Sequence, residues 1–139
     1  MRTEERGQGV VEAAIILPVL LLLVFGLLGV ERVLHAEAGV QAVAHDAART
    51  AALANSAAEA AQRGAAAGLA TAGMYRLNPA NLALTVNAQD FQRGGQVVSR
   101  AQYVVHFRDL PLLGWATLPV SSTNLQPVDR YRAIPGGQP

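Results

Sequence analysis

From Ala13 to Val30 the chain reads AAIILPVLLLLVFGLLGV, eighteen residues without a charged or strongly polar side chain. Counted from Val10, the run makes about 31 Å of helix at 1.5 Å per residue, enough to cross a hydrocarbon core of roughly 30 Å. A chain of 139 residues leaves little to surround such a helix, because the remainder is rich in alanine and polar side chains. The run therefore predicts a transmembrane helix over residues 8–31. The overall composition, 51% hydrophobic and only 15% charged, is the average of a membrane span and a small polar domain.

Pro18, Gly26 and Gly29 would each weaken this helix in water, whereas a membrane tolerates them. Pro18 frees the carbonyl of Ala14 and predicts a kink, and Gly26 and Gly29 offer a thin surface for another helix. Glu12 is the residue a lipid environment has to accommodate, since a carboxylate inside an apolar helix costs a few kcal/mol unless it is neutralised or reaches the interface. Either it extends to the headgroups or it pairs with a positive group on a neighbouring subunit.

Upstream stands MRTEERG, a short hydrophilic leader over residues 1–7, followed by Gln8-Gly9-Val10-Val11-Glu12. A charged leader, a glycine, a carboxylate five positions later and a long apolar helix together resemble the processing signal of type IV pilin precursors. The closer resemblance is to the TadE-like family of the tight-adherence pilus system. It rests on Gly7, Glu12, Ala13, Pro18 with the leucines after it, Phe25-Gly26 and Ala48-Arg49, within about the first third of the chain. Gln8, not the phenylalanine of typical type IV pilins, follows the glycine, as small or polar residues do in the TadE-like branch. The resemblance implies cleavage by a prepilin peptidase between Gly7 and Gln8. It further implies a salt link between the new amino group of Gln8 and Glu12 of a neighbouring subunit, and partners among pilin or pseudopilin subunits and an inner-membrane pilus platform.

Ala36-Glu37-Ala38 supplies a competing pattern, the A-x-A of a signal-peptidase site behind an apolar segment and two arginines. Against it, the apolar run exceeds the usual 7 to 15 residues, and Glu12 stands where that run begins. Arg2, Arg6 and the initial amine precede the span, and only Arg32 follows within fifteen residues. This bias places the N-terminus in the cytoplasm and residues beyond about Glu31 outside the cytoplasmic membrane.

Between Glu31 and Tyr75 there is no proline, and Val33, Val40, Ala44, Ala47, Ala51, Ala54, Ala58, Ala61 and Ala65 recur at spacings of three, four or seven. This predicts one amphipathic extracytoplasmic helix over residues 32–77, ended by Asn78-Pro79, with a stripe thin enough for close packing. Gly64, Gly68 and Gly73 make its last turns weak. His35 and His45 lie about 80° apart on it, too far for a metal pair. Glu31 and His35 are one turn apart and read as a surface contact.

Beyond Pro79 the texture changes to strands. Leu82–Ala88 predicts a first strand and Arg93-Gly94-Gly95-Gln96 a turn. Gln96–Arg108 predicts a second, half-buried strand with Val97, Ala101, Tyr103, Val105 and Phe107 on one face. A third is expected over Leu118–Leu125, after a crossover from Pro111 to Pro119. Trp115 in that crossover reads either as a binding aromatic or, preferentially, as a core plug. The sheet region covers residues 78–132, and residues 133–139 form a tail with few structural signals. The expected fold is α+β: a transmembrane helix continuing into a long amphipathic helix packed on a small antiparallel sheet of about three strands.

Nothing in the sequence assembles a reactive site. There is no cysteine, and Ser99, Ser121, Ser122 and His106 lack partners at useful spacing. Arg93-Gly94-Gly95 lacks the third glycine of a nucleotide motif. The eleven basic residues, all arginine, form no run that could follow a phosphate backbone, so neither a cofactor nor nucleic acid is expected. The expected function is therefore non-enzymatic. The resemblance implies a minor pilin-like (pseudopilin) subunit acting in pilus assembly or anchoring. A major structural pilin and an unrelated single-pass anchor with a small binding domain are the alternatives.

Overall fold

The computed structural model describes residues 4–129, with side chains from residue 9 onward; residues 1–3 of the leader and the tail at 133–139 lie outside the described residues. Helix α1 (Glu4–Ala52) runs for 49 residues without interruption, through Pro18. At 1.5 Å per residue it is about 73 Å long, more than twice the thickness of a hydrocarbon core. Its first half therefore serves one environment and its second half another.

The single helix expected up to Tyr75 is two. After Ala52 the chain turns through residues 53–56, and α2 (Ala57–Met74) folds back antiparallel to α1. The cause is local capping. Ser56 has extended backbone angles, φ −147° and ψ 161°, and its hydroxyl accepts a bond from the Glu59 amide at 3.2 Å. Glu59 reaches back to the Asn55 amide at 2.9 Å and takes a 3.0 Å bond from Arg63. A polar cap of this kind contributes about 1 kcal/mol, which an alanine run with equal propensity on either side cannot resist.

The reversal also changes which residues are covered. Val40, Ala44, Ala47, Ala51 and Ala54 are buried as the stripe predicts, but Ala58 is exposed. In α2 the buried residues are instead Ala60, Gly64, Gly68, Thr71 and Ala72. Two of the glycines that make the last turns weak as an isolated helix, Gly64 and Gly68, are what brings the two helices together, while Gly73 is open. A Cβ on Gly64 would lie 2.8 Å from the Ala47 carbonyl oxygen and 2.9 Å from the Ala51 methyl. At the other end, α2 closes with Arg76 in the left-handed region (φ 54°). The Arg76 amide bonds to Gly73 O and that of Leu77 to Ala72 O, the paired bonds of a Schellman cap.

A short 3₁₀ turn (Pro79–Asn81) leads into three strands, β1 (Leu82–Asn87), β2 (Gln96–His106) and β3 (Thr117–Pro127), paired antiparallel in the order β1-β2-β3. The register sets Leu82 opposite Tyr103 and Val120 opposite Tyr103 on its other side, so one face carries Leu84, Ala101 and Ser122 in a row. That face lies against the helices, with Val97, Ser99, Ala101 and Val105 buried in the central strand. The core is thin. Small side chains of α1 (Ala36, Ala44, Ala47, Ala48) let the sheet approach closely, and the branched Val40, Val43, Val97 and Val105 fill what space remains. The fold is α+β, with a second helix added to the expected elements.

Candidate membrane and assembly surface

The N-terminal half of α1 stands clear of the domain. Its most apolar 18-residue window has a mean hydropathy of 2.9, and only 6% of it is buried by the rest of the protein. The core helix of a small domain would be covered on most sides, so the apolar run is not a core element. Among the described residues this is the one helix long and apolar enough to cross a membrane, and it suggests a membrane anchor.

Gly7 and Gln8 lie in the first turns of α1. Glu12 is exposed, as are its apolar neighbours Val10, Val11, Ile15 and Ile16. Gly26 is open, with nothing within 4 Å of where a Cβ would stand. Gly29, by contrast, is buried: a Cβ there would lie 3.8 Å from Leu113 Cδ1 and from Phe107 Cε1, and 4.0 Å from Leu110 Cδ1. The chain's own β2–β3 connection thus occupies the thin surface that Gly29 offers. Seventeen residues separate Glu12 from Gly29, which at 3.6 residues per turn puts them about 100° apart around the helix. Glu12 is therefore about a quarter-turn round the helix from Gly29, and it is exposed because it stands more than four turns before the part of α1 that the domain buries.

One turn beyond Gly29, Arg32 is bound to Asp109 in the same β2–β3 connection by two bonds, Nη1 to Oδ1 at 2.5 Å and Nη2 to Oδ2 at 2.7 Å. Arg32 Nη1 also donates to the His106 carbonyl at 3.2 Å. The hydrogen bond from Arg32 holds the Asp109 carboxyl down at about 2, and Asp109 in turn raises the already high pKa of Arg32. The forked geometry is what a guanidinium does best, fixing orientation as well as distance. In the sequence Arg32 reads only as a topology charge, and nothing there points to Asp109. With 77 positions between the two, no local periodicity could join them.

The connection between β2 and β3 carries the main correction to the expected core. Trp115 is not a plug: it is 85% exposed, and its Nε1 donates to the Leu112 carbonyl at 3.1 Å. Leu112 is 70% exposed and sits at φ 69°, while Leu110 and Phe107 turn inward. The residues that do fill the expected plug position are therefore aliphatic and Phe107. Beside them runs an open apolar groove of about 410 Å³, with Gly26, Gly29 and Val30 on the helix side and Phe107, Leu113 and Leu118 on the sheet side.

The remaining candidates have structural partners. Ser99 is fully buried, and its hydroxyl donates to the Ala44 carbonyl of α1. Thr71 of α2 donates to Asp46 of α1 at 2.7 Å, a second polar tie between elements. His35 lies 3.0 Å from the Tyr75 carbonyl through Nε2, at the open end of the helical hairpin, and His106 Nδ1 lies 3.1 Å from the Val104 carbonyl. Among the described residues no three histidine or carboxylate side chains gather as metal ligands would.

Comparison with known proteins finds a match to helix α1. Residues 7–49 match the family model of the TadE-like proteins, so the resemblance carried by Gly7, Glu12, Pro18 and Ala48-Arg49 is shown over that stretch. The matched residues cover the apolar helix and most of the α1 segment that packs on the sheet, and stop short of α2 and all three strands. No curated protein and no solved structure matches the chain.

Proposed function

We propose that this chain, TadE-like over its N-terminal helix, is a minor pilin-like subunit of a tight-adherence pilus, acting in assembly or anchoring by packing and not by catalysis. TadE-like proteins are associated with that pilus, and involvement in its assembly is the coarse function the match suggests. The observation that carries the finer reading is the exposed apolar half of α1 with Glu12 on it, left uncovered by the chain's own domain. A helix with this much uncovered apolar surface is complete only in lipid or against other helices, and a subunit that passes from bilayer to filament needs both.

In this reading a prepilin peptidase cuts between Gly7 and Gln8 on the cytoplasmic side, and the domain after about Glu31 lies outside. The freed amino group then meets the Glu12 carboxylate of a neighbouring subunit, which offsets the cost of holding that carboxylate in an apolar setting. The competing cut after Ala38 would remove Phe25, Gly29, Arg32 and Ala36, all of which touch or enter the domain core. That is the structural support for retaining the helix.

The test is Glu12→Ala, followed through membrane insertion and through incorporation into sheared pili. Insertion should be unchanged, because removing a carboxylate favours the lipid phase, while incorporation should fall. Normal incorporation of the variant would refute the pairing role. In wild-type pili the subunit should be sub-stoichiometric to the main filament protein; equal or greater abundance would make it the major pilin instead.

A further inference from the structure

The β2–β3 connection is fixed to α1 at a depth that can be worked out from length alone. From Val10 to Phe25 the apolar run has 16 residues, about 24 Å, which falls short of a hydrocarbon core of roughly 30 Å. Reaching that thickness takes the helix to about Val30. Gly29 and Val30 therefore belong to the last turn in contact with acyl chains, and Gly29 is the residue on which Leu110 and Leu113 rest. Charge returns one step further on, at Glu31 and Arg32, and the loop runs in the opposite order: Arg108 and Asp109 come first, Asp109 bonded to Arg32, and then Leu110-Pro111-Leu112-Leu113-Gly114-Trp115 without a charge.

We propose that residues 110–116 form a second, interfacial membrane contact: Leu112 and Trp115 rest among the lipid headgroups and upper acyl chains of the leaflet on the domain's side. This rests on the reading of α1 as a membrane anchor. Leu112 and Trp115 are exposed on the same loop whose Leu110 and Leu113 touch that final turn, and in water both would be unfavourably exposed. Leu112 keeps this position in the left-handed region, which is unfavourable for a residue with a Cβ. Four of the loop's donors are already satisfied within it. Trp115 Nε1 donates to Leu112 O, Leu110 N to Phe107 O, Leu113 N to Leu110 O and Ala116 N to Leu113 O. A loop so closed can enter a low-dielectric boundary without leaving those donors unpaired, and a tryptophan ring is well suited to the headgroup level. Two contacts, the helix and this loop, fix the tilt of the domain over the bilayer, with the Arg32–Asp109 bridge as the brace between them.

Trp115 is the single tryptophan of the chain, so its fluorescence reports this loop alone. The full chain is reconstituted into phosphatidylcholine vesicles, with lipids brominated high on the acyl chain or unbrominated, and floated after an alkaline wash. The expected result is that the protein floats, that Trp115 emission is blue-shifted and falls several-fold with the brominated lipid, and that iodide in the buffer barely quenches it. Floating protein with an emission quenched by iodide and indifferent to bromine would overturn the loop contact and leave the anchor standing. Shielding from both quenchers, relieved on dilution into excess lipid, would overturn it in favour of a protein neighbour. Failure to float after the wash would overturn the anchor and the loop contact together.

Discussion

Arg32 and Asp109, one on the helix just past its apolar run and the other at the start of the β2–β3 connection, hold each other through two parallel bonds of 2.5 and 2.7 Å. The continuous helix α1 carries the domain, and this pair ties the β2–β3 connection to it just past the apolar run. Without it, the loop would meet the helix only through apolar contacts around Gly29, which are close but carry little direction.

The pair makes a pH statement with a definite sign. Asp109 is held below its unfolded value, at about 2, so its contribution to stability is fully present above the ordinary aspartate pKa of about 3.9 and is lost as pH falls toward 2. An NMR titration of the Asp109 carboxyl should give a midpoint near 2 in wild type and near the ordinary value in Arg32→Gln. Asp109→Asn should lower Tm slightly at neutral pH, by an amount that shrinks at about 1 M salt, because both side chains are partly open to solvent.

Gly64 and Gly68 separate two kinds of crowding. At Gly64 the obstacles are the Ala47 carbonyl at 2.8 Å and the Ala51 methyl at 2.9 Å, neither of which can rotate away. At Gly68 the nearest atom, 2.5 Å off, is the end of the Leu84 side chain, which can change rotamer. An alanine gains about 1 kcal/mol in helix propensity at either site, against about 1–3 kcal/mol for overpacking. Gly64→Ala should therefore be destabilising by about 1–2 kcal/mol and Gly68→Ala close to neutral, as read by denaturant unfolding in mild detergent. Equal effects would mean that the helices can slide apart.

Ser99 has a structural place and no catalytic one. Its hydroxyl is spent on the Ala44 carbonyl in a fully buried site, so Ser99→Ala should cost about 1 kcal/mol. The exposed Ser121→Ala should cost nothing measurable. Pilus incorporation at a permissive temperature should be unaffected by either substitution.

Much of this architecture is legible in the sequence where a period or a strong punctuator exists. Alternation in Val97, Ala101, Tyr103 and Val105 gives β2 and its buried face, and the glycines at 94 and 95 give the hairpin. The reversal between the helices is not given by periodicity, because an alanine stripe looks the same through a turn. The signal that could have found it is Ser56 with Glu59 three residues later, a capping pair set inside the alanine run. An inward Trp115 follows from the general habit of aromatic side chains, which assumes water outside the protein. Beside a membrane-length helix that assumption is the wrong one. Of the candidate site, Gly7, Glu12 and Gly29 can be singled out from sequence, but only the fold shows that Gly29 is covered by the chain's own loop while Glu12 is left free.

The most direct test of the central claim is the mass of this subunit in pili sheared from cells. The account predicts a chain beginning at Gln8, present below the level of the main filament protein and retaining all of α1 from that residue. An intact Met1 found only in the membrane fraction, or a chain beginning at Gly39, would contradict it.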